Sequence, residues 1–277
     1  MTQPISAATE RSILINANIN SDELLIEQNG AIATVTFDRP QVMNAFDHAQ
    51  RQRLIQALDE LDNDDSVRVI VFTGRGRAFC AGQDQNESAA MDAASSARRI
   101  DDYMTLYRKI RAMSKPLVAR INGVAAGAGL QLALMCDLRI GSTLARLGMT
   151  ELKVGSVAVV GSALLLPIIG EAAMRRLVLL AEVLNAADSL HLGLLHEVLP
   201  EAQLDSRIDA IAAQLADHPP LTLALTKRWW SRMSEDLFEQ SALAASQAHA
   251  ENFASGNYSA GAQRFTRRNK VRGCQDI

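Results

Sequence analysis

The stretch from Arg120 to Asp137 constrains this chain most: Arg-Ile-Asn-Gly-Val-Ala-Ala-Gly-Ala-Gly-Leu-Gln-Leu-Ala-Leu-Met-Cys-Asp. It begins where a buried strand should end, behind the short apolar run Pro116-Leu117-Val118-Ala119. It then passes through Gly123, Gly127 and Gly129 and continues from Leu130 to Met135 as an apolar helix. A strand that stops in small residues and opens a helix presents backbone N–H groups with no intrahelical partner. Those groups, together with the positive end of the helix dipole, hold an anion. The small side chains let a ligand come close to the backbone. The stretch therefore offers an anion hole.

The 277 residues suit one large domain or one domain with an appendage. Hydrophobic residues make up 48% of the chain and aromatics only 4%, so the core must be aliphatic. A net charge of −3 gives no reason to expect a nucleic-acid partner. Cys80, Cys136 and Cys274 share no CxxC or Cys/His spacing, and their odd number argues against a disulfide framework. A reducing, cytoplasmic setting fits that usage. No apolar run reaches the roughly 18 residues of a membrane span, and the N-terminus has no secretory pattern.

Residues 1 to about 20 read as a loose extension. Leu24–Glu27 and Ala31–Phe37 read as strands joined at Asn29-Gly30, a strong hairpin signature. A helix follows from about His48 to Leu61, then an apolar strand over Val67–Thr73 and a small-residue loop, Phe79-Cys80-Ala81-Gly82-Gln83-Asp84. Glu87 to about Ser95, rich in Ala, Ser and Asp, reads as a mobile loop poised as a lid, and Ala97–Ala112 as a helix. After the central stretch come strands at Leu138–Gly141 and near Arg146–Met149, an apolar helix over Gly161–Ile169, a short helix over Ala186–Gly193 and a strand over His196–Leu199. Beyond Pro200 the pattern is helical, over Leu204–Leu215, Leu221–Met233, Leu237–Ala254 and Ala262–Arg268. The expected division is an extension over 1–20, an α/β core over 21–205 and a helical region over 206–277.

Two glycine-bearing loops, Ala81-Gly82-Gln83-Asp84 and Ala126-Gly127-Ala128-Gly129, each follow an apolar strand. Parallel strands deliver such loops to one sheet edge. Backbone N–H groups from both loops then converge on one oxygen as an oxyanion hole. Taken separately, each loop is a tight turn. Glu151, just past a strand, reads on its own as a solvated carboxylate beside Lys153. Asp137 suits a structural role, and Gln131 cannot titrate. His48, His191, His196, His218 and His249 sit in no nucleophile or metal pattern and read as surface or capping residues. Trp229-Trp230 reads as packing, with a subunit interface as the alternative.

Taken in order, these pieces resemble the crotonase, or enoyl-CoA hydratase/isomerase, superfamily. The resemblance covers roughly Leu24 to Arg268. It rests on Asp38-Arg39-Pro40 with Asn44-Ala45, and on Phe72-Thr73-Gly74 with Arg77-Ala78-Phe79-Cys80-Ala81-Gly82-Gln83-Asp84. It also rests on Ile121–Asp137, on Leu147-Gly148-Met149-Thr150-Glu151, and on Asn185-Ala186-Ala187-Asp188 through Val198. The resemblance implies an α/β fold: a ββα spiral core with C-terminal helices that assemble homotrimers or dimers of trimers. It implies an acyl-CoA thioester substrate and no cofactor beyond the coenzyme A of that substrate. It assigns the oxyanion hole to the N–H groups of Gln83 and Ala128. It assigns CoA and substrate binding to Val42, Ala81, Gln83, Asp84, Gln85 and Gly127. Arg267 and Arg268 fall near where the family offers basic residues to the CoA phosphates.

Hydratases of that family carry two glutamates, at the positions of Gln131 and Glu151, twenty residues apart (151 − 131). The second is kept here and the first is an amide. A lone Glu151 suits a proton shuttle between two carbons, so isomerisation is favoured over hydration. Val157-Ala158-Val159-Val160 replaces a Pro/Gly-rich loop and points to an apolar acyl pocket. The competing readings are a non-catalytic acyl-CoA binder of the same fold and an NAD(P)-binding oxidoreductase. The last rests only on Gly127-x-Gly129, whose third glycine is replaced by Leu132.

Overall fold

The structure, a computed structural model, describes residues 13–14 and 23–272, with side chains over 23–268. Most of the expected N-terminal extension and Cys274 lie outside the described residues. Residues 13–14 are not loose: β1 (Ile13–Leu14) pairs antiparallel with β2 (Leu24–Asn29). The hairpin from β2 to β3 (Ile32–Phe37) turns at Gly30, whose φ of 57° is left-handed. Helix α1 (His48–Asn63) starts where Asp47 accepts a hydrogen bond from the Gln50 N–H, and it buries Leu54, Leu58 and Leu61. Then follow β4 (Val69–Gly74), β5 (Ala78–Cys80), α2 (Gln85–Ala89) and α3 (Ala93–Ala112). Next come β6 (Leu117–Ile121), β7 (Val124–Ala126), α4 (Ala128–Met135), β8 (Leu138–Ser142), β9 (Arg146–Gly148) and α5 (Val159–Leu179). The chain closes with β10 (Val183–Asn185), α6 (Ala186–His191), β11 (Glu197–Leu199), α7 (Glu201–Ala216), α8 (Pro220–Met233), α9 (Glu235–Ala254) and α10 (Asn257–Arg272).

The strands form two sheets, in the orders β1-β2-β3-β4-β6-β8-β11 and β10-β9-β7-β5. Each turn of chain adds one strand to each sheet and then a helix. Thus β4, β6 and β8 lie parallel in the large sheet, and β5, β7 and β9 lie parallel in the small one. This is a ββα spiral. The large sheet is covered on both faces, which is why β4 reads as a continuous apolar run. Val69 and Val71 face Leu204, Ile208 and Ile211 of α7, while Ile70 and Phe72 face the main core.

Three expectations need correction. The segment read as a mobile loop, Glu87 to Ser95, is structured. Its first half is α2, where Ser88 is buried and Asp84 caps the helix. Its second half opens α3 with a capping box between Asp92 and Ser95. Cap chemistry accounts for the Asp and Ser content there. The small sheet holds two strands, β5 and β7, where the sequence suggests only loops, because three-residue strands of small side chains carry no period. The two glycine loops therefore follow β5 and β7, not the long strands of the large sheet. Finally, the apolar helix read as ending at Ile169 runs on as α5 past a break at Gly170, whose φ of 73° interrupts it.

The C-terminal helices pack back on the spiral, α9 against α3 and α5, and α10 against α2 and the turn Glu151–Val154. Helix α8 leaves Leu221, Leu225, Trp229 and Met233 exposed at four-residue spacing. No helix among the described residues is long and apolar enough to cross a membrane.

Candidate active site

The ends of β5 and β7 meet at the floor of a cavity of about 400 Å³. Glycine makes the approach possible. A Cβ on Gly129 would stand 2.1 Å from the Cys80 carbonyl oxygen, and one on Gly82, whose φ is 92°, would stand 2.6 Å from that of Ala126. With no side chain between them, the two loops lie in backbone contact. Among the described residues neither the Gln83 N–H nor the Ala128 N–H has an acceptor. Ala128 is the first residue of α4, so its N–H carries the helix's positive end. The Gln83 side chain is drawn aside. Its Oε1 accepts from Arg51 at 3.1 Å and from the Tyr103 hydroxyl at 3.0 Å, and its Nε2 donates to Glu87 at 2.6 Å.

Glu151 stands over this floor, in the turn after β9. A Cβ added at Gly127 would lie 3.8 Å from its carboxyl. It is not the solvated partner of Lys153 that its neighbourhood in sequence implies. Its Oε1 accepts the Gln131 amide at 2.7 Å, and its Oε2 is buried with no partner among the described residues. Burial pushes its pKa up to about 7, against the lowering effect of its hydrogen bonds to its own N–H and to Gln131. The Gln131 carbonyl accepts the Tyr107 hydroxyl at 2.9 Å. Burial raises the Tyr107 pKa well above its usual value, so the phenol stays a donor.

The other expected site residues also line the cavity: Val42, Ala81, Asp84, Gln85 and Gly127, with Val157, Val159 and Val160 on the apolar side. The Asp84 carboxyl is engaged elsewhere, with Arg39 at 3.2 Å and the Asn86 N–H at 2.8 Å. Arg267 and Arg268 are exposed on α10 and do not line the cavity, whereas Phe265 and Thr266 do. The motif around Arg39 and Asn44 is explained by support. The fully buried Asn44 accepts the Arg39 N–H at 2.9 Å and donates to the Ala78 carbonyl at 2.7 Å, fixing the entry to β5. Asp137 accepts the Leu117 N–H at 2.7 Å and pairs with Lys227, a structural arrangement.

Sequence reasoning missed Tyr103, Tyr107, Tyr258, Arg99 and His249, all in the cavity wall. A signal was present: the chain has three tyrosines, and all three line this cavity. His249 is not a surface residue. Burial and the Arg99 charge push its pKa down to about 3. Among the described residues no group of three or more His, Cys, Asp or Glu could hold a metal ion.

A profile of the enoyl-CoA hydratase/isomerase family matches residues 27–272. The chain is 32% identical over 223 residues to a 2,3-dehydroadipyl-CoA hydratase of Escherichia coli K12, covering 80% of this chain and 86% of that one. It is 34% identical over 204 residues to a 1,2-epoxyphenylacetyl-CoA isomerase of the same organism, covering 71% and 77%. A crystal structure of an enoyl-CoA hydratase from Mycobacterium avium subsp. paratuberculosis K-10 superposes with a TM-score of 0.80 at 25% identity, covering 89% of this chain and 96% of that one. The spiral, the matched length and these relatives together make the chain a member of the enoyl-CoA hydratase/isomerase family, an enzyme of acyl-CoA thioesters.

Proposed function

We propose that the protein isomerises enoyl-CoA thioesters, with Glu151 as the only proton carrier. The observation that carries this reading is the Glu151 carboxyl: buried, bonded to one amide at 2.7 Å, and with its pKa held near 7. A group poised there takes and returns a proton at neutral pH. In a 3-enoyl thioester, Glu151 removes a proton from C2. The electron pair passes to the thioester oxygen, which accepts from the Gln83 and Ala128 N–H groups. The neutral carboxyl then returns the proton at C4, giving the 2-enoyl thioester. Gln131 orients Glu151 and supplies no proton of its own.

CoA runs along Val42, Ala81, Asp84, Gln85 and Gly127, and the acyl chain enters the apolar wall. The reaction calls on no cofactor beyond the coenzyme A of the substrate. The exposed stripe of α8, Leu221 to Met233, supports assembly as a homotrimer or a dimer of trimers. The names of the two E. coli relatives divide between hydration and isomerisation. Hydration is therefore the second reading, with Gln131 holding the water.

The test is incubation with crotonyl-CoA and 3-hexenoyl-CoA in D₂O, read by mass spectrometry. Deuterium uptake or double-bond migration without a gain of water supports the isomerase. A gain of one water from crotonyl-CoA at a comparable rate turns the assignment to hydratase.

A further inference from the structure

Four arginines are buried among the described residues: Arg39, Arg51, Arg99 and Arg139. Three have oxygen partners that suit a cation. Arg39 pairs with Asp47 and Asp84, Arg51 pairs with Glu87 and Asp102, and Arg139 donates to the carbonyls of Leu194 and Cys136. Arg99 differs. It is 4% exposed, and no carboxylate among the described residues pairs with it. It donates to the Tyr258 hydroxyl and to His249 Nδ1, the latter at 3.2 Å, and its Nε–H has no partner among the described residues. Neither partner is a carboxylate, and the Tyr258 hydroxyl itself donates to Ser88 at 2.7 Å. A cation buried without an anion is costly.

The position of Arg99 tells what is missing. Arg99, Tyr103 and Tyr107 follow one another at four-residue spacing along α3, and all three line the cavity. Tyr107 is bonded to Gln131 beside Glu151. Eight residues of helix rise about 12 Å, so Arg99 lies two turns away from the reacting end. Tyr103, between them on α3, turns its hydroxyl to Gln83, and Ile100, Met104 and Val160 add apolar side chains to the same cavity lining. A chain running from the Glu151 end along α3 meets a guanidinium that has no carboxylate partner among the described residues. Because Arg99 occupies Nδ1 as a donor, the neutral His249 carries its proton on Nε2, a second donor in the same wall.

We propose that this end of the cavity receives a terminal carboxylate of the acyl chain, with Arg99 as its cation, so that the preferred substrates are mono-CoA thioesters of dicarboxylic acids. The proposal rests on the acyl-CoA reading of the site. It uses the planar donor fork that a guanidinium offers to a carboxylate. A hydrocarbon tail in the same place would leave the charge buried and unpaired.

The test is calorimetric titration of the full chain with adipyl-CoA (one thioester, one free carboxylate) and with hexanoyl-CoA. The two have the same chain length and differ only at the far end. Adipyl-CoA is expected to bind about tenfold or more tightly, the equivalent of about 1.4 kcal/mol. In Arg99→Met the ratio of the two affinities falls to about one, and Arg99→Lys, which keeps the charge, retains part of it. Equal affinities in the unaltered protein, or a preference that survives Arg99→Met, overturn the proposal and leave the enoyl-CoA reading standing. If neither ester binds, the acyl-CoA reading fails and this proposal with it. A structural role for Arg99, stacked 4.4 Å from the Tyr258 ring, would alter stability without creating the ratio.

Discussion

The Gln131 amide donates to Glu151 Oε1 at 2.7 Å while the Tyr107 hydroxyl donates to the Gln131 carbonyl at 2.9 Å. The amide is thereby held in one orientation, and it fixes one carboxylate oxygen while leaving the other, Oε2, without a hydrogen-bond partner among the described residues. Where a second glutamate could exchange protons with a bound water, this chain has an orienting group. In the proposed reaction, proton transfer then falls to Glu151 alone.

Glu151→Gln keeps the size of the side chain and removes its ability to carry a proton. Loss of an acid/base residue costs about 10²- to 10⁴-fold. Turnover of 3-hexenoyl-CoA should fall within that range. Full turnover in the variant, on every thioester the protein accepts, would falsify the proton-carrier role.

Because burial holds the Glu151 pKa at about 7, kcat/KM for proton abstraction should rise with pH through about 7 and level off above it. The same shift sets a stability trend. Between about pH 4.5 and pH 7 the folded chain keeps a proton that the unfolded chain releases. The neutral carboxyl's contribution is full below about pH 4.5 and is lost as the pH rises through about 7. At roughly 1.4 kcal/mol per pH unit, the span is on the order of 3 kcal/mol. Urea denaturation at pH 8 should therefore find Glu151→Gln more stable than the unaltered protein, with the gap closing toward pH 5.

Gln131→Glu would set two carboxyls within hydrogen-bond reach, and the pair would hold a shared proton. Hydration of crotonyl-CoA, read as a gain of one water, should rise by about tenfold or more relative to isomerisation. An unchanged product ratio would show that the amide at this position does not set the reaction type.

Tyr107→Phe leaves the buried Gln131 carbonyl without its donor. Such a loss costs about 1–3 kcal/mol. Thermal unfolding should register it. Turnover should fall through kcat more than through KM, because the hydroxyl bonds the Gln131 amide that holds Glu151.

Gly129→Ala places a methyl group 2.1 Å from the Cys80 carbonyl oxygen, an atom of the backbone that cannot swing aside. The two loops must separate. Destabilisation of about 1–3 kcal/mol and a loss of turnover should appear together. Unaltered kinetics would show that the loop contact does not shape the site.

Much of this molecule is written locally. The Asn29-Gly30 turn, the Asp47 cap and the apolar run that becomes β4 each depend on residues a few positions apart, so the sequence determined them. The same holds for the small-residue entry to α4 and for the absence of side chains at Gly82 and Gly129. Other features depend on residues far apart in the chain. The small sheet exists because β5 pairs with β7, more than forty residues on, and its short strands show no pattern alone. Glu151 looks solvated beside Lys153 until Gln131 and the cavity wall take it out of water. Arg99 is one of several arginines in the sequence. Only the packing of α3 against α9, and of Arg99 against Tyr258 of α10, makes it a buried cation with no carboxylate partner among the described residues. Backbone conformation follows from neighbours in sequence, whereas desolvation and charge pairing follow from neighbours in space, and those belong to the tertiary structure.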